Sequence, residues 1–291
     1  MQICAITMVY RDHWALSQWY RHFGAQLGHG NLFIVAHGAD PRIAKLCPKA
    51  NIVTIPRGDL SDFDAQRGRM LNHLQNALSE VYDWVIRTDA DELICLDPAR
   101  FASFEDLLSN RQGDAVFALG LNVIEKAVDE DLSAQDNVFA LRDRAIFSGH
   151  YSKAWAVRGG ISLDHHGVRV DPSRVQAFNY DLPVGVYMAH LKFANTAALA
   201  NANTHRKQIA QGKGTNLPGT AWRKPKTNAK LMFKNAELFV LQPWDEASSL
   251  AYELQMQTVK RNPKTGLIRS KFIAPKAKTT LPDWFATLGE K

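Results

Sequence analysis

The chain has 291 residues, 46% of them hydrophobic, 22% charged and 10% aromatic, an ordinary globular composition that fits one large domain or a domain with an appendage. No stretch approaches the roughly eighteen uncharged apolar residues of a membrane span. The opening MQICAITMVYRD lacks the basic segment, apolar core and cleavage site of a secretory signal, so a cytoplasmic location is expected. The net charge of +6 is unevenly divided: residues 1–150 hold 14 Lys and Arg against 20 Asp and Glu, and residues 151–291 hold 21 against 9.

No acidic residue stands between Asp181 and Glu237. An acidic half followed by a basic half suits a metal site working beside an anion site, with a solvated basic face as the plainer alternative. Nucleic acid is not expected as a partner, because the basic interval carries no recognisable binding motif and its aromatics, Trp222 and Phe233 among them, are too sparse for a stacking platform. Cys4, Cys47 and Cys95 have no metal-ligand spacing and sit in or beside apolar segments, which reads as buried free thiols.

In chain order, residues 3–9 read as a strand and 14–27 as an amphipathic helix with Trp14, Trp19, Phe23 and Leu27 along one side. Residues 32–36 and 52–55 read as strands, 64–78 as a helix with a stripe of Met70, Leu71, Leu74 and Leu78, and 81–88 as a strand. Strands separated by helices in this rhythm indicate parallel βαβ units, whose ligands gather beyond the carboxyl ends of the strands. Tyr10-Arg11-Asp12, His37-Gly38-Ala39-Asp40 and Asp89-Ala90-Asp91 all follow strands and are expected on one edge.

Residues 115–121 read as a further strand, 129–136 as an acidic loop and 142–191 as a mixed, glycine-containing region. A helix is expected over 196–211, a loop over 211–225 and a helix over 246–261, with the basic tail after Pro263 wrapping the surface. No GxGxxG follows the first strand and no GxxxxGK[ST] occurs, which argues against ordinary dinucleotide and P-loop sites.

The segment WVIRTDADEL (84–93) carries the strongest chemistry. Asp89, Asp91 and Glu92 crowd three carboxylates into four positions, which repel unless something positive lies among them. Mg²⁺ and Mn²⁺ take oxygen ligands and need only one or two protein carboxylates when substrate phosphates complete the shell. In extended chain Asp89 and Asp91 would project the same way and share one ion. An acidic turn after a strand is the bland alternative.

The strand with a polar end, the W-Y-x-x-F helix, the strand ending near Asp40, the Gln/Arg-containing helix and Y-D-W-V-I-R-T-D-A-D-E-L together resemble the family 2-like bacterial glycosyltransferases. The likeness covers residues 1–100 and is thinner over 145–207, where S-K-A-W-A-V, His165-His166 and H-L-K at 190–192 look like the family's later positions. The resemblance implies an α/β, GT-A-like (Rossmann-like) fold: a mostly parallel central sheet flanked by helices, with a helical, basic C-terminal extension. It divides the chain into a nucleotide-sugar, metal-binding and catalytic domain over 1–210 and an extension packed on it over 211–291.

Carried over residue by residue, it makes Asp89 and Asp91 the D-x-D pair, with Asp91 a direct ligand of Mn²⁺ or Mg²⁺ and Asp89 a contact to metal or ribose. His190 would be the third metal ligand, with a satisfied strand-end histidine as the alternative, and Lys192 would reach a phosphate. Thr7, Val9 and Tyr10 would meet the nucleobase, Asp40 the base or ribose, and Arg67 the diphosphate or uracil side. Glu92 is divided between supporting the loop and touching substrate. Asp164 and His166 have the chemistry for a general base.

The activity implied is transfer of a sugar from a nucleotide-diphosphate donor, a UDP-sugar ahead of a GDP-sugar, to a glycan or lipid-linked acceptor in bacterial surface polysaccharide synthesis. The basic half would face an anionic acceptor, with peripheral contact at the inner membrane. Three alternatives stand beside it. A sugar nucleotidyltransferase is expected to carry a glycine-rich loop after its first strand, and MVYRDHW has none. A phosphohydrolase would place an Asp where Met8-Val9-Tyr10 stand. A non-catalytic nucleotide- or glycan-binding protein on a transferase scaffold would leave the Asp89/Asp91 repulsion without a use.

Overall fold

The computed structural model describes residues 1–215 and 217–289. The first hundred residues build the expected α/β rhythm: β1 (Ile3–Val9), α1 (His13–Leu27), β2 (Leu32–His37), α2 (Pro41–Leu46), β3 (Asn51–Ile55), α3 (Phe63–Leu78) and β4 (Trp84–Arg87). β3, β2, β1 and β4 pair in that order, all parallel. Side chains alternate faces along each strand. Ile3, Ala5 and Val9 of β1, with Trp84 and Ile86 of β4, pack against Leu16, Trp19 and Phe23 of α1. Cys4, Ile6 and Val85 point the other way, against Leu71, Met70, Leu74 and Leu78 of α3. Burial on both faces explains why these strands read as continuous apolar runs.

The chain then leaves this sheet three times, after β4, after a strand at 115–117 and after one at 154–157. The first crossing follows β4, where residues 88–91 turn into β5 (Glu92–Leu96), which pairs with a strand of a second sheet. After α4 (Phe104–Ser109), the run expected to be one strand over 115–121 divides at Ala118. β6 (Ala115–Phe117) stays in the first sheet, while β7 (Leu119–Ile124) enters the second. A uniform apolar run carries no mark of such a division, because both halves are equally buried.

The remaining elements are α5 (Val138–Leu141), β8 (Arg144–Phe147), β9 (Ala154–Val157), β10 (Ser162–Asp164), β11 (Gly167–Arg169), β12 (Val186–Phe193), α6 (Thr196–Ala210), α7 (Thr220–Arg223), α8 (Pro225–Leu238), β13 (Val240–Leu241), α9 (Trp244–Gln257), β14 (Lys260–Asn262), β15 (Leu267–Arg269) and β16 (Ala277–Thr280). The first sheet is completed by β9 and β6, the second runs β13-β16-β8-β7-β12-β5, and a small antiparallel sheet runs β10-β11-β15-β14.

The tail after Pro263 does more than wrap the surface: β15 joins the small sheet and β16 inserts between β13 and β8. The helix expected over 246–261 ends at Gln257, and its last residues become β14. Cys4, Cys47 and Cys95 are buried free thiols. Among the described residues no helix is long and apolar enough to cross a membrane.

Candidate functional site

The carboxyl ends of β1, β2 and β4 open on one cleft, closed on its far side by α6 and α7, and lined by Tyr10, Arg57, Arg67, Asp91, Arg206 and Trp222 among others. This is the edge on which the sequence placed its polar segments.

One wall is aromatic and cationic. The Arg57 guanidinium lies 3.4 Å from the Tyr10 ring centroid, and the His205 ring meets Tyr10 edge-on at 5.1 Å. Arg57 Nη1 donates to His37 Nδ1 at 3.1 Å. That direction requires a neutral imidazole, and burial, together with the Arg57 and Arg67 charges, pushes His37 down to about 4. His37 stacks on Phe63 at 5.8 Å, and Phe63 leads to Trp222 at 6.0 Å.

The opposite end is the carboxylate crossing between the two sheets. Residues 88–91 form a turn rather than extended chain, closed by Glu92 N–H donating to the Asp89 carbonyl and Asp89 N–H donating to Glu92 Oε2, both at 3.0 Å. The alternation expected of Asp89 and Asp91 therefore fails, and the two carboxylates meet different partners. Asp89 forms an ion pair with Arg67 of α3. Asp91 Oδ2 accepts from Arg206 Nη2 of α6 at 2.9 Å, and the same guanidinium lies 3.6 Å from Asp12 Oδ2. Glu92 Oε1 lies 2.8 Å from Lys153 Nζ, just before β9. The positive partner that three crowded carboxylates demand comes from three separate elements of the chain itself.

These pairs set the ionisation. Burial resists the charge on Asp91, but His190, Arg206 and Lys192 outweigh it and hold the carboxyl far below its usual range. Burial acts likewise on Asp89, and Arg67 with Lys153 brings it down to about 2. Glu92 is the exception: burial pushes it up to about 7, against Lys153, with Asp89 and Asp91 adding repulsion.

His190 lies inside β12, not at its end, and the strand register explains its place. It stands opposite Glu92 of β5 on one side and Asn122 of β7 on the other. Its Nδ1 lies 2.8 Å from Asn122 Oδ1, its Nε2 lies 3.6 Å from Asp91 Oδ2, and Tyr151 stacks on the ring at 3.7 Å. Nδ1–H donated to Asn122 turns Nε2 toward the Asp91 carboxylate, where an Nε2–H helps hold that carboxyl low; loss of that proton would open Nε2 to a cation.

Asp91 and His190 could hold a small divalent cation between them only if Arg206 released the Asp91 Oδ2 to which it donates. Asp89 does not join them: it turns to Arg67, and among the described residues no group of three or more His, Cys, Asp and Glu side chains gathers as a metal site. The expected triple of Asp89, Asp91 and His190 is not gathered: Asp89 lies with Arg67, and Asp91 with Arg206 and His190.

The other sequence candidates separate cleanly. Val9, Tyr10, Arg67, Asp89 and Asp91 line the cleft. Thr7 is fully buried within β1 with its hydroxyl unpartnered, away from the cleft wall. Asp40 spends one oxygen capping α2 through the Arg42 N–H at 3.0 Å and the other on His13 Nε2 at 2.7 Å. Lys192 donates to Asn228 Oδ1 of α8 at 3.0 Å and lines a small recess beside Asp91 and Arg206. Asp164 is held by Arg169, whose Nε donates to Oδ2 at 2.8 Å, and by His165, which removes it as a free base. His166 stands apart from the cleft wall, in the hairpin between β10 and β11.

Arg57, Phe63, Lys153, Arg206 and Trp222 were not among the sequence candidates. The acid-free interval of the sequence contains Arg206 and Trp222, but nothing in their spacing separates them from the other basic and aromatic residues there.

No family model matches the chain, and no curated protein matches it. Solved structures do match, among them a cytidylyltransferase from Leptospira borgpetersenii serovar Hardjo-bovis (strain JB197), at 12% identity and a TM-score of 0.27, over 40% of this chain and 54% of that one. The chain spans about half the length of that neighbour. The α/β assignment rests on the strand pairing itself.

Proposed function

We infer that this protein is a glycosyltransferase that takes its sugar from a nucleoside-diphosphate donor. The observation that carries the reading is one cleft with two unlike ends. Tyr10, Arg57, Phe63 and Trp222 offer flat and cationic surfaces suited to a nucleobase, and the other end brings Arg67 and Arg206 together with Asp89 and Asp91. A nucleotide diphosphate has the same division, an aromatic ring at one end and concentrated negative charge at the other.

Asp91 and His190 would hold Mn²⁺ or Mg²⁺, which supplies neutralisation of the charge that develops on a departing diphosphate. Arg67 and Arg206 would contact phosphate oxygens, and the stacked pair of Arg57 and Tyr10 would offer an outer face to the base. UDP remains the first donor nucleotide to test. A glycan or lipid-linked acceptor, with peripheral contact at an anionic membrane, fits the exposed lysines of α8, Lys226, Lys230 and Lys234.

Calorimetric titration of UDP and then GDP, with and without Mn²⁺, on the wild type and on Asp91→Ala tests the reading. Metal-dependent binding of one nucleotide, lost in Asp91→Ala, is the expected outcome. Failure of both nucleotides under every metal condition refutes the transferase assignment and leaves the fold intact.

A further inference from the structure

A ridge of rings leads away from the carboxylate crossing, and beyond His190 the donor reading does not use it. It begins at His190, stacked on Tyr151. His150 follows, with its ring 5.2 Å from Tyr151, 4.0 Å from His166 and 4.7 Å from Phe272. Arg269 lies over Phe272 at 4.8 Å and donates to the His165 carbonyl at 3.0 Å. Phe272 is 45% exposed, so the ridge ends in an open aromatic surface.

The backbone is bent out of its preferred range to build this ridge. β10 and β11 pair Asp164 with Gly167, leaving His165 and His166 as a two-residue hairpin loop, both at positive φ, 45° and 62°. Turns of this kind strongly favour asparagine and glycine, because a side chain at positive φ crowds its own carbonyl. Two histidines there work against local stability, and such strain persists where the surroundings impose it.

The surroundings do impose it. A Cβ at Gly167 would meet the Ile268 carbonyl oxygen at 2.2 Å, and one at Gly149 would meet the Ile273 carbonyl oxygen at 2.4 Å. The hairpin and the 148–151 turn are thereby clamped against the 268–273 segment. His166 Nδ1 is buried there without a partner.

We propose that His150, His166 and Phe272 form a saccharide-binding ridge that positions the acceptor beside the carboxylate crossing. Phe272 presents a face for the C–H side of a sugar ring, the exposed neutral His150 imidazole offers one donor and one acceptor nitrogen to hydroxyls, and His166, with its Nδ1 buried, offers its Nε2. Burial pushes His150 down to about 4 and His166 down to about 2, with Lys153 adding to both, so both rings are neutral at physiological pH. Arg269 would favour acceptors that carry a carboxylate or phosphate. The ridge deepens the transferase reading and rests on it for the word acceptor.

The test compares the wild type with His166→Gly and Phe272→Ala in three measurements. Thermal unfolding of His166→Gly is expected at a higher temperature than wild type, because glycine relieves the strained φ. Saturation-transfer NMR with methyl glycosides of glucose, galactose, N-acetylglucosamine and glucuronic acid is expected to show binding to the wild type that weakens at least about tenfold in both variants, the scale of one lost stacking or hydrogen-bonding contact. UDP titration is expected to be unchanged in both.

A lowered unfolding temperature in His166→Gly makes the ring a structural brace and overturns the proposal. So does the absence of any glycoside binding to the wild type, or binding that both variants retain in full. Absence of UDP binding to the wild type, with glycoside binding still lost in the variants, sinks the donor reading and leaves a carbohydrate-binding ridge.

Discussion

Replacing Lys153 with methionine removes the one cation, among the described residues, within ion-pair distance of Glu92, a side chain with no solvent exposure, while keeping most of the lysine stem's volume. Burial has already raised Glu92 from its ordinary 4.5 to about 7, with Lys153 holding it down. A folded-state value above the unfolded one means that the stability tied to this proton is fully present below about pH 4.5 and is lost as pH climbs through about 7.

In Lys153→Met the carboxyl rises further, since its largest lowering influence is gone. Near pH 5.5 both proteins keep Glu92 protonated, and the variant loses only packing and a hydrogen bond. Above about pH 7 the wild type ionises Glu92 against Lys153 while the variant has to retain the proton, at about 1.4 kcal/mol for each pH unit.

The destabilisation is therefore expected to grow by about 3 kcal/mol between about pH 7 and about pH 9, approaching the roughly 3–5 kcal/mol of a broken buried ion pair. Urea unfolding of both proteins across that range measures it. A destabilisation that stays constant from about pH 5.5 to about pH 9 would refute the reasoning, by showing that Glu92 is not the group that Lys153 neutralises.

Two further outcomes follow from the ion pairs of Arg206 in the cleft and of Arg142 at the acidic loop. Arg206 holds the same Asp91 oxygen that a cation would take, so Arg206→Ala is expected to tighten Mn²⁺ binding several-fold in the absence of nucleotide and to weaken UDP binding. An electron paramagnetic resonance titration of free Mn²⁺ reads the first effect, and unchanged Mn²⁺ affinity would separate Arg206 from the metal pair. Arg142 is fully buried, donating to the carbonyls of Ala194, Leu141 and Glu130 at 2.8–2.9 Å and lying near Glu125 and Asp129. Arg142→Met is expected to cost about 3–5 kcal/mol in denaturant unfolding, because it strands carbonyls and a nearly buried carboxylate together. A cost under about 1 kcal/mol would show that the acidic loop holds its shape without that clamp.

The sequence by itself determined the elements whose order is local. Short continuous apolar runs, alternating with helices striped at three- and four-residue spacing, marked out the parallel block of β1 to β4 and the edge on which its polar ends emerge. It also marked Asp89, Asp91 and Glu92 as residues with unusual chemistry, because three carboxylates cannot crowd together without a positive neighbour.

What it could not determine was which neighbour. Arg67, Lys153 and Arg206 come from α3, the approach to β9 and α6, and their meeting with the carboxylates depends on long-range pairing that leaves no periodic trace. The same holds for the division of 115–121 between two sheets and for the turn that sends Asp89 and Asp91 to different partners. Hydrophobic patterning records whether a residue is buried; which distant charge it is buried against is decided only when the sheets close.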